Sequence, residues 1–191
     1  MIQLKQPFVL ASGSPRRKEI LHTMGIEFTV DISDVDETFE GTPQDAVLEL
    51  SRRKAHAVAV RNPNALVLAA DTLVYADKTL GKPESREHAI GMLKELSGRW
   101  HSVFTGLTLV NTADGRVYQR VCETRVHFVD MQENEIEAYV DSKEPLDKAG
   151  AYGIQGLGGM FVDRIEGSYS NVVGLPMSVL REMLVQIRKE N

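Results

Sequence analysis

Between Ala65 and Tyr75 the chain reads as an apolar run interrupted only by Asp71-Thr72. Such a run, rich in β-branched and aliphatic residues, is the pattern of a buried strand. A carboxylate inside it is costly to bury unless it is paired, protonated or bound to a metal. Strand alternation offers another solution, in which Asp71 points into solvent. If the side chain stays inside, its chemistry suits taking a proton from water or holding a divalent ion.

The rest of the chain supplies a sheet for that strand and helices to cover it. Phe8 to Ala11 is a short apolar run ending at Ser12-Gly13-Ser14, after which Ile20, Leu21 and Met24 recur at helical spacing. This reads strand, tight turn, helix. Thr42, Pro43 and Asp45 look like an N-cap, a proline in the first helical position and a near capping box, opening a long helix to about Arg61. Ser85 caps a helix carrying Ala89, Met92, Leu93 and Leu96, ended by Gly98. Ser102 to Val110 and Gly115 to Phe128 flank the turn from Asn111 to Gly115 and predict antiparallel strands. Glu133 to Val140 predicts a short helix, Met160 to Ile165 a strand, and Pro176 to Ile187 a final helix. The class is α/β or α+β with a mixed sheet, and no repeat or linker divides residues 1–191, which are expected to form one domain.

Composition narrows the function classes. With 191 residues, 42% of them hydrophobic, the chain can bury a real core. No apolar stretch approaches the roughly 20 residues of a membrane span, and no secretory leader pattern opens the sequence. These features argue for a cytoplasmic protein without membrane attachment. The single cysteine, Cys122, excludes an internal disulfide framework and a cysteine-based zinc cluster, and fits a packed strand position. A net charge of -5 without a lysine-rich run disfavours stable nucleic-acid binding, while leaving room for a small local anion site.

Several residues stand out against that background. Ser12-Gly13-Ser14-Pro15-Arg16-Arg17 lies where a strand turns into a helix, so free backbone N–H groups and two guanidiniums converge as in a phosphate cradle. A capped helix with solvated arginines explains the same residues. Lys54 falls on the stripe Val47, Leu50, Lys54, Ala57, Val58, so its ammonium faces inward or borders a cleft unless the stem snorkels past the helix edge. Lys82 sits in the rigid turn Gly81-Lys82-Pro83, where a lysine is ordinarily just exposed. Asp34, Asp36 and Glu37 form an acidic segment whose carboxylates suit magnesium or manganese but whose spacing also fits a solvated loop. Five glycines between Leu146 and Gly159 surround Gln155, letting the backbone approach a ligand closely beside a carboxamide that both donates and accepts. No zinc-protease helix, nucleophile elbow or Walker loop is present.

Taken together, LASGSPRR ending at Arg17, VDE ending at Glu37, RRKA around Lys54, AADT at Asp71-Thr72, GKP around Lys82, LDKAGAYGIQG and GSYSNVVGLP closely resemble the Maf family in order and combination. The resemblance spans nearly the whole chain. It implies a two-lobed α/β fold related to inosine triphosphate pyrophosphatases, with substrate in a cleft and frequent homodimers. It also implies hydrolysis of a nucleoside triphosphate between its α- and β-phosphates, assisted by magnesium or manganese. By the same transfer Asp71 is the general base, Glu37 a catalytic carboxylate, and both are metal-ligand candidates. Lys54 and Lys82 then contact phosphate, and Ser12, Arg16 and Arg17 form the phosphate-binding loop.

Arg16, Thr72 and Gln155 match the family branch that resembles dTTP/UTP pyrophosphatases rather than the branch acting on 7-methyl-GTP. Gln155 offers a donor beside an acceptor, the pairing a uracil or thymine edge requires. The expected substrates are therefore dTTP, UTP and related modified pyrimidines. Three other readings stay open at this level. One is the same reaction on another nucleotide, such as 7-methyl-GTP; another is a nucleotide-binding protein of division control; the third, against which the acidic balance counts, is a nucleic-acid module.

Overall fold

The computed structural model describes residues 4–190. A mixed sheet organises the fold. β1 (Phe8–Leu10), β2 (Thr29–Val30), β3 (Leu66–Ala76), β5 (Trp100–Asn111), β6 (Val117–Phe128) and β7 (Val162–Glu166) hydrogen-bond in the order β2-β1-β3-β5-β6-β7, with β4 (Lys78–Leu80) on β3. β1 pairs in parallel with both β2 and β3, whereas β3–β4 and β6–β7 are antiparallel. The link between β5 and β6 is too short for a parallel crossover and closes as a turn, with the Asn111 N–H donating to the Arg116 carbonyl at 2.9 Å. The expectation of a mixed sheet with helices holds.

Chain contacts divide the protein into two compact units. The first comprises the chain up to Asp71, Thr105–Cys122 and the chain from Gly174 onward; the second comprises Thr72–Phe104 and Glu123–Val173. In the first unit, α1 (Pro15–Thr23) is capped by Ser14, whose hydroxyl accepts from the Arg17 N–H. α2 (Pro43–Ala59) starts at the predicted cap, with the Thr42 hydroxyl accepting from the Asp45 N–H at 3.2 Å. The Asp45 carboxylate meets that same hydroxyl at 2.7 Å and not the cap N–H, so the box does not close. Ala55 and Val58 of α2 pack with Val9 and Ala11, with Ala65, Val67 and Ala69, and with Val110. The last helix, α6 (Met177–Glu190), buries Leu180, Met183, Leu184 and Ile187.

In the second unit α3 (Arg86–Leu96) packs against α4 (Glu133–Asp141), and Ala89, Met92, Leu93 and Leu96 enter one core with Phe128, Ile136, Tyr139, Tyr152 and Phe161. Short elements escaped the sequence reading: β2, β4, α5 (Tyr169–Val173) and three 3-10 turns at Glu144–Asp147, Ala149–Ala151 and Leu157–Phe161. Segments this short carry no periodicity. The strand expected from Met160 begins instead at Val162, where pairing with Phe128 sets the register, because the preceding residues close a 3-10 turn. No helix among the described residues is long and apolar enough to cross a membrane.

His101 is a neutral member of this second core. It is 4% exposed, edge-on to Phe128 and Tyr152, with Nε2 2.8 Å from the Tyr152 hydroxyl. Burial pushes its pKa down to about 4. The unfolded chain takes up this proton near the ordinary value of about 6.5, so unfolding binds protons between those values and stability rises with pH across them. The His101 contribution is complete above about pH 6.5 and is lost as pH falls toward about 4. Between about pH 7 and pH 5 the expected loss is on the order of 2 kcal/mol. Urea unfolding of the wild type and His101→Phe at both pH values checks this; an equal pH dependence in the two proteins would overturn it.

Candidate active site

Three of the residues singled out in the first unit, Glu37, Lys54 and Asp71, meet in one ion-pair cluster. The fifth residue of the buried segment of β3, Ala70, hands over to Asp71, which is 8% exposed and therefore not turned to solvent. Its Oδ1 accepts from Lys54 Nζ at 2.6 Å. Lys54 projects from α2 beside the buried Leu50, Ser51, Ala55 and Val58, which places its ammonium within the fold, with its side chain 12% exposed. Lys54 Nζ also meets Glu37 Oε1 at 3.0 Å, so one ammonium joins two carboxylates. Glu37 belongs to the segment between β2 and α2, and its side chain is 65% exposed.

That exposed segment is tied to α2 by a residue the sequence reading passed over. Arg53 Nη1 donates to the carbonyls of Asp36 at 3.2 Å and Thr38 at 2.9 Å, the two neighbours of Glu37. Its Nε meets Glu49 at 2.9 Å. The RRKA motif contained this signal, because Arg53 precedes Lys54 and so leaves the helix on an adjacent face.

The two arginines of the phosphate-cradle motif separate. Arg17 Nη1 donates to Ser12 Oγ at 3.0 Å and its Nε to the Gly174 carbonyl at 3.0 Å. Ser12 is buried, and its hydroxyl also accepts from the Ser14 N–H at 3.3 Å. Burial lowers the Arg17 pKa; the carboxylates of Asp71 and Glu37 oppose the shift and neighbouring Arg16 adds to it, yet a guanidinium remains charged at neutral pH. Arg17 thus contributes positive charge from a fixed position. Arg16, half-buried in the first turn of α1, makes no side-chain hydrogen bond or ion pair among the described residues.

The remaining predicted residues lie in the second unit. Thr72 follows Asp71 along β3 and is partly buried. Lys82 lies just after β4 and Gln155 in the glycine-rich segment; both are exposed, and neither side chain has a hydrogen-bond or ion-pair partner among the described residues. Their segments touch through the Gly150 N–H, which donates to the Gly81 carbonyl at 3.0 Å.

The donor set also bears on metal binding. Among the described residues no three His, Cys, Asp or Glu side chains gather in a way that would hold a metal. Glu37 and Asp71 supply the one or two protein carboxylates that a magnesium-type ion takes, its shell being completed by phosphate oxygens and water, while Lys54 Nζ stands between them.

Known proteins of similar sequence match nearly the whole chain. A family model described as Maf-like protein matches residues 7–187. A dTTP/UTP pyrophosphatase of Acetivibrio thermocellus is 47% identical, covering 92% of each chain, and one of Desulforamulus reducens is 47% identical, covering 94% of this chain and 95% of its own. A Bacillus anthracis protein of the same name is 49% identical, with 93% and 94% covered. Among solved structures, a HAM1 protein from Coxiella burnetii superposes with a TM-score of 0.50 at 16% identity over 96% of this chain and 99% of that one, which is a likeness of fold. With a family match over nearly its full length and relatives at close to half identity, this chain belongs to the Maf-like proteins.

Proposed function

We propose that this protein hydrolyses dTTP and UTP to the nucleoside monophosphate and pyrophosphate by attack of water at the α-phosphorus. The enzyme class is that of a nucleoside triphosphate pyrophosphatase. The observation that carries the reading is the Glu37–Lys54–Asp71 arrangement beside the Ser12–Arg17 turn, in a chain whose relatives at 47% and 49% identity are named dTTP/UTP pyrophosphatases.

The chemistry follows from the residues. Asp71 Oδ1 is taken by Lys54, which leaves Oδ2 as the acceptor for a water and, as that water attacks, for its proton. The bond from the α-phosphorus to the bridging oxygen breaks, and pyrophosphate departs carrying the bonding electrons. Developing charge on phosphoryl oxygens is met by the Lys54 ammonium, the Arg17 and Arg16 guanidiniums and Lys82, the electrostatic work that dominates phosphoryl transfer. A magnesium or manganese ion held by Glu37 and Asp71 would supply further charge neutralisation on the triphosphate.

Base choice falls to Gln155. Its carboxamide has a donor and an acceptor to match the N–H and C=O of uracil or thymine, whereas a carboxylate only accepts. Gln155→Glu is expected to lower kcat/KM for dTTP and UTP on the order of a hundredfold while 7-methyl-GTP loses less. The assay is a nucleotide panel with magnesium or manganese, resolving monophosphate, phosphate and pyrophosphate. An unchanged ranking of UTP over 7-methyl-GTP would remove Gln155 from base reading, and release of phosphate in place of pyrophosphate would overturn the cleavage site.

A further inference from the structure

The glycine-rich segment that carries Gln155 is folded around a side chain of the protein itself. Glu144 opens the 3-10 turn Glu144–Asp147. Its Oε2 accepts from the Leu157 N–H at 2.8 Å, and its Oε1 accepts from the Gly158 N–H at 3.1 Å and from the Tyr139 hydroxyl at 2.9 Å. That hydroxyl in turn accepts from the Gly153 N–H at 3.1 Å. Backbone N–H groups on both sides of Gln155 therefore end on one carboxylate–phenol pair.

Two of the glycines answer to the same pair. A Cβ at Gly156 would overlap the Glu144 carboxylate, and one at Gly158 would overlap the Tyr139 hydroxyl. The anchor is itself fixed. Tyr139 is 4% exposed and stands edge-on to Phe161 with ring centroids 5.4 Å apart, and Lys148 Nζ holds the Glu144 backbone carbonyl at 2.5 Å. Partial burial raises the Glu144 pKa, but bonds from Gly158, Leu157 and Tyr139, with the charge of Lys148, outweigh it and keep the carboxyl below its usual range. The bonds it accepts are accordingly charge-assisted, the stronger kind.

We infer that Glu144 is a positioning residue for base recognition, which with Tyr139 fixes the backbone of residues 153–158 from which the Gln155 side chain extends. This rests on the assignment of base reading to Gln155. Two departures from a merely structural role follow: damage to the anchor weakens discrimination between bases more than turnover, and it loosens the amides of residues 157 and 158 selectively.

The test uses Glu144→Gln, Tyr139→Phe and Gln155→Ala in the full chain. A carboxamide at position 144 has one accepting oxygen and an NH2 that cannot accept, so the N–H of either Leu157 or Gly158 loses its acceptor. Losing such a partner corresponds to about tenfold. In Glu144→Gln, KM for dTTP and UTP should rise about tenfold and the preference for UTP over CTP fall about tenfold, with kcat for UTP within about threefold of wild type. Amide hydrogen exchange at residues 157 and 158 should accelerate. Tyr139→Phe, which keeps the ring and loses only the hydroxyl, should move the same quantities less, and it decides the matter if Glu144→Gln does not fold. Gln155→Ala eroding base preference while both anchor variants keep it would overturn the role of Glu144 alone. Gln155→Ala leaving base preference intact would overturn the base-reading assignment, and this inference with it.

Discussion

Asp71→Asn should fold normally and lose turnover by about 10²–10⁴-fold, the range that a positioned general base contributes. The side chain keeps its shape, and an asparagine carbonyl oxygen still accepts from Lys54 Nζ, which in the wild type sits 2.6 Å from Oδ1. Lys54 also keeps its second partner, Glu37, at 3.0 Å. What disappears is the basicity of Oδ2, the proposed proton acceptor. KM for the nucleotide should move little, because the cations proposed to meet its phosphates remain. Pyrophosphate release by the purified variant, beside its thermal unfolding curve, checks both halves. Near-normal turnover in a folded variant would remove Asp71 from the base role and leave it as the electrostatic partner of Lys54.

Lys54→Met should produce the largest change in stability. Methionine replaces the aliphatic stem and keeps its packing, but leaves the carboxylate of Asp71, 8% exposed, without its ammonium. Breaking a buried ion pair from one side costs about 3–5 kcal/mol, and partial exposure of this pair places the expected loss at about 3 kcal/mol. For a chain of this size that is a fall in Tm of roughly 6–12 °C. Lys54→Met/Asp71→Asn should recover much of it, because the uncompensated charge is gone, and a double-mutant cycle then gives the coupling. Activity falls in both variants. If Lys54→Met melts with the wild type, the pair makes no net contribution to stability and exists for the site alone.

Both expectations concern a pair of which the sequence exposed each half separately. Asp71 stood out as a carboxylate inside a buried strand pattern, and Lys54 as a cation on the apolar stripe of a helix. Each alone had an ordinary explanation in solvent. The structure removes those explanations for both at once, since the two groups meet. Arg16 and Arg17 show the opposite case. They are consecutive residues of one type in one motif, and only the folded chain distinguishes Arg17, committed to Ser12 and the Gly174 carbonyl, from Arg16, which has no such partner among the described residues. The glycines around Gln155 were legible as a demand for close approach, but the groups that Gly156 and Gly158 approach are Glu144 and Tyr139, just outside the stretch that drew attention.

Local pattern thus determined the longer elements. Periods of two and 3.6 residues, caps at Thr42 and Ser85, and the turn after Asn111 specify strands and helices because they act between residues a few positions apart. The resemblance of ordered motifs determined the family. Tertiary structure decided which side chains share a partner: Lys54 with Asp71 across 17 positions, Arg17 with Gly174 across 157, and Glu144 with Gly158 across 14. Such pairings are absent from the linear pattern because the free energy of an ion pair or hydrogen bond depends on distance and burial, which exist only after the chain has closed on itself.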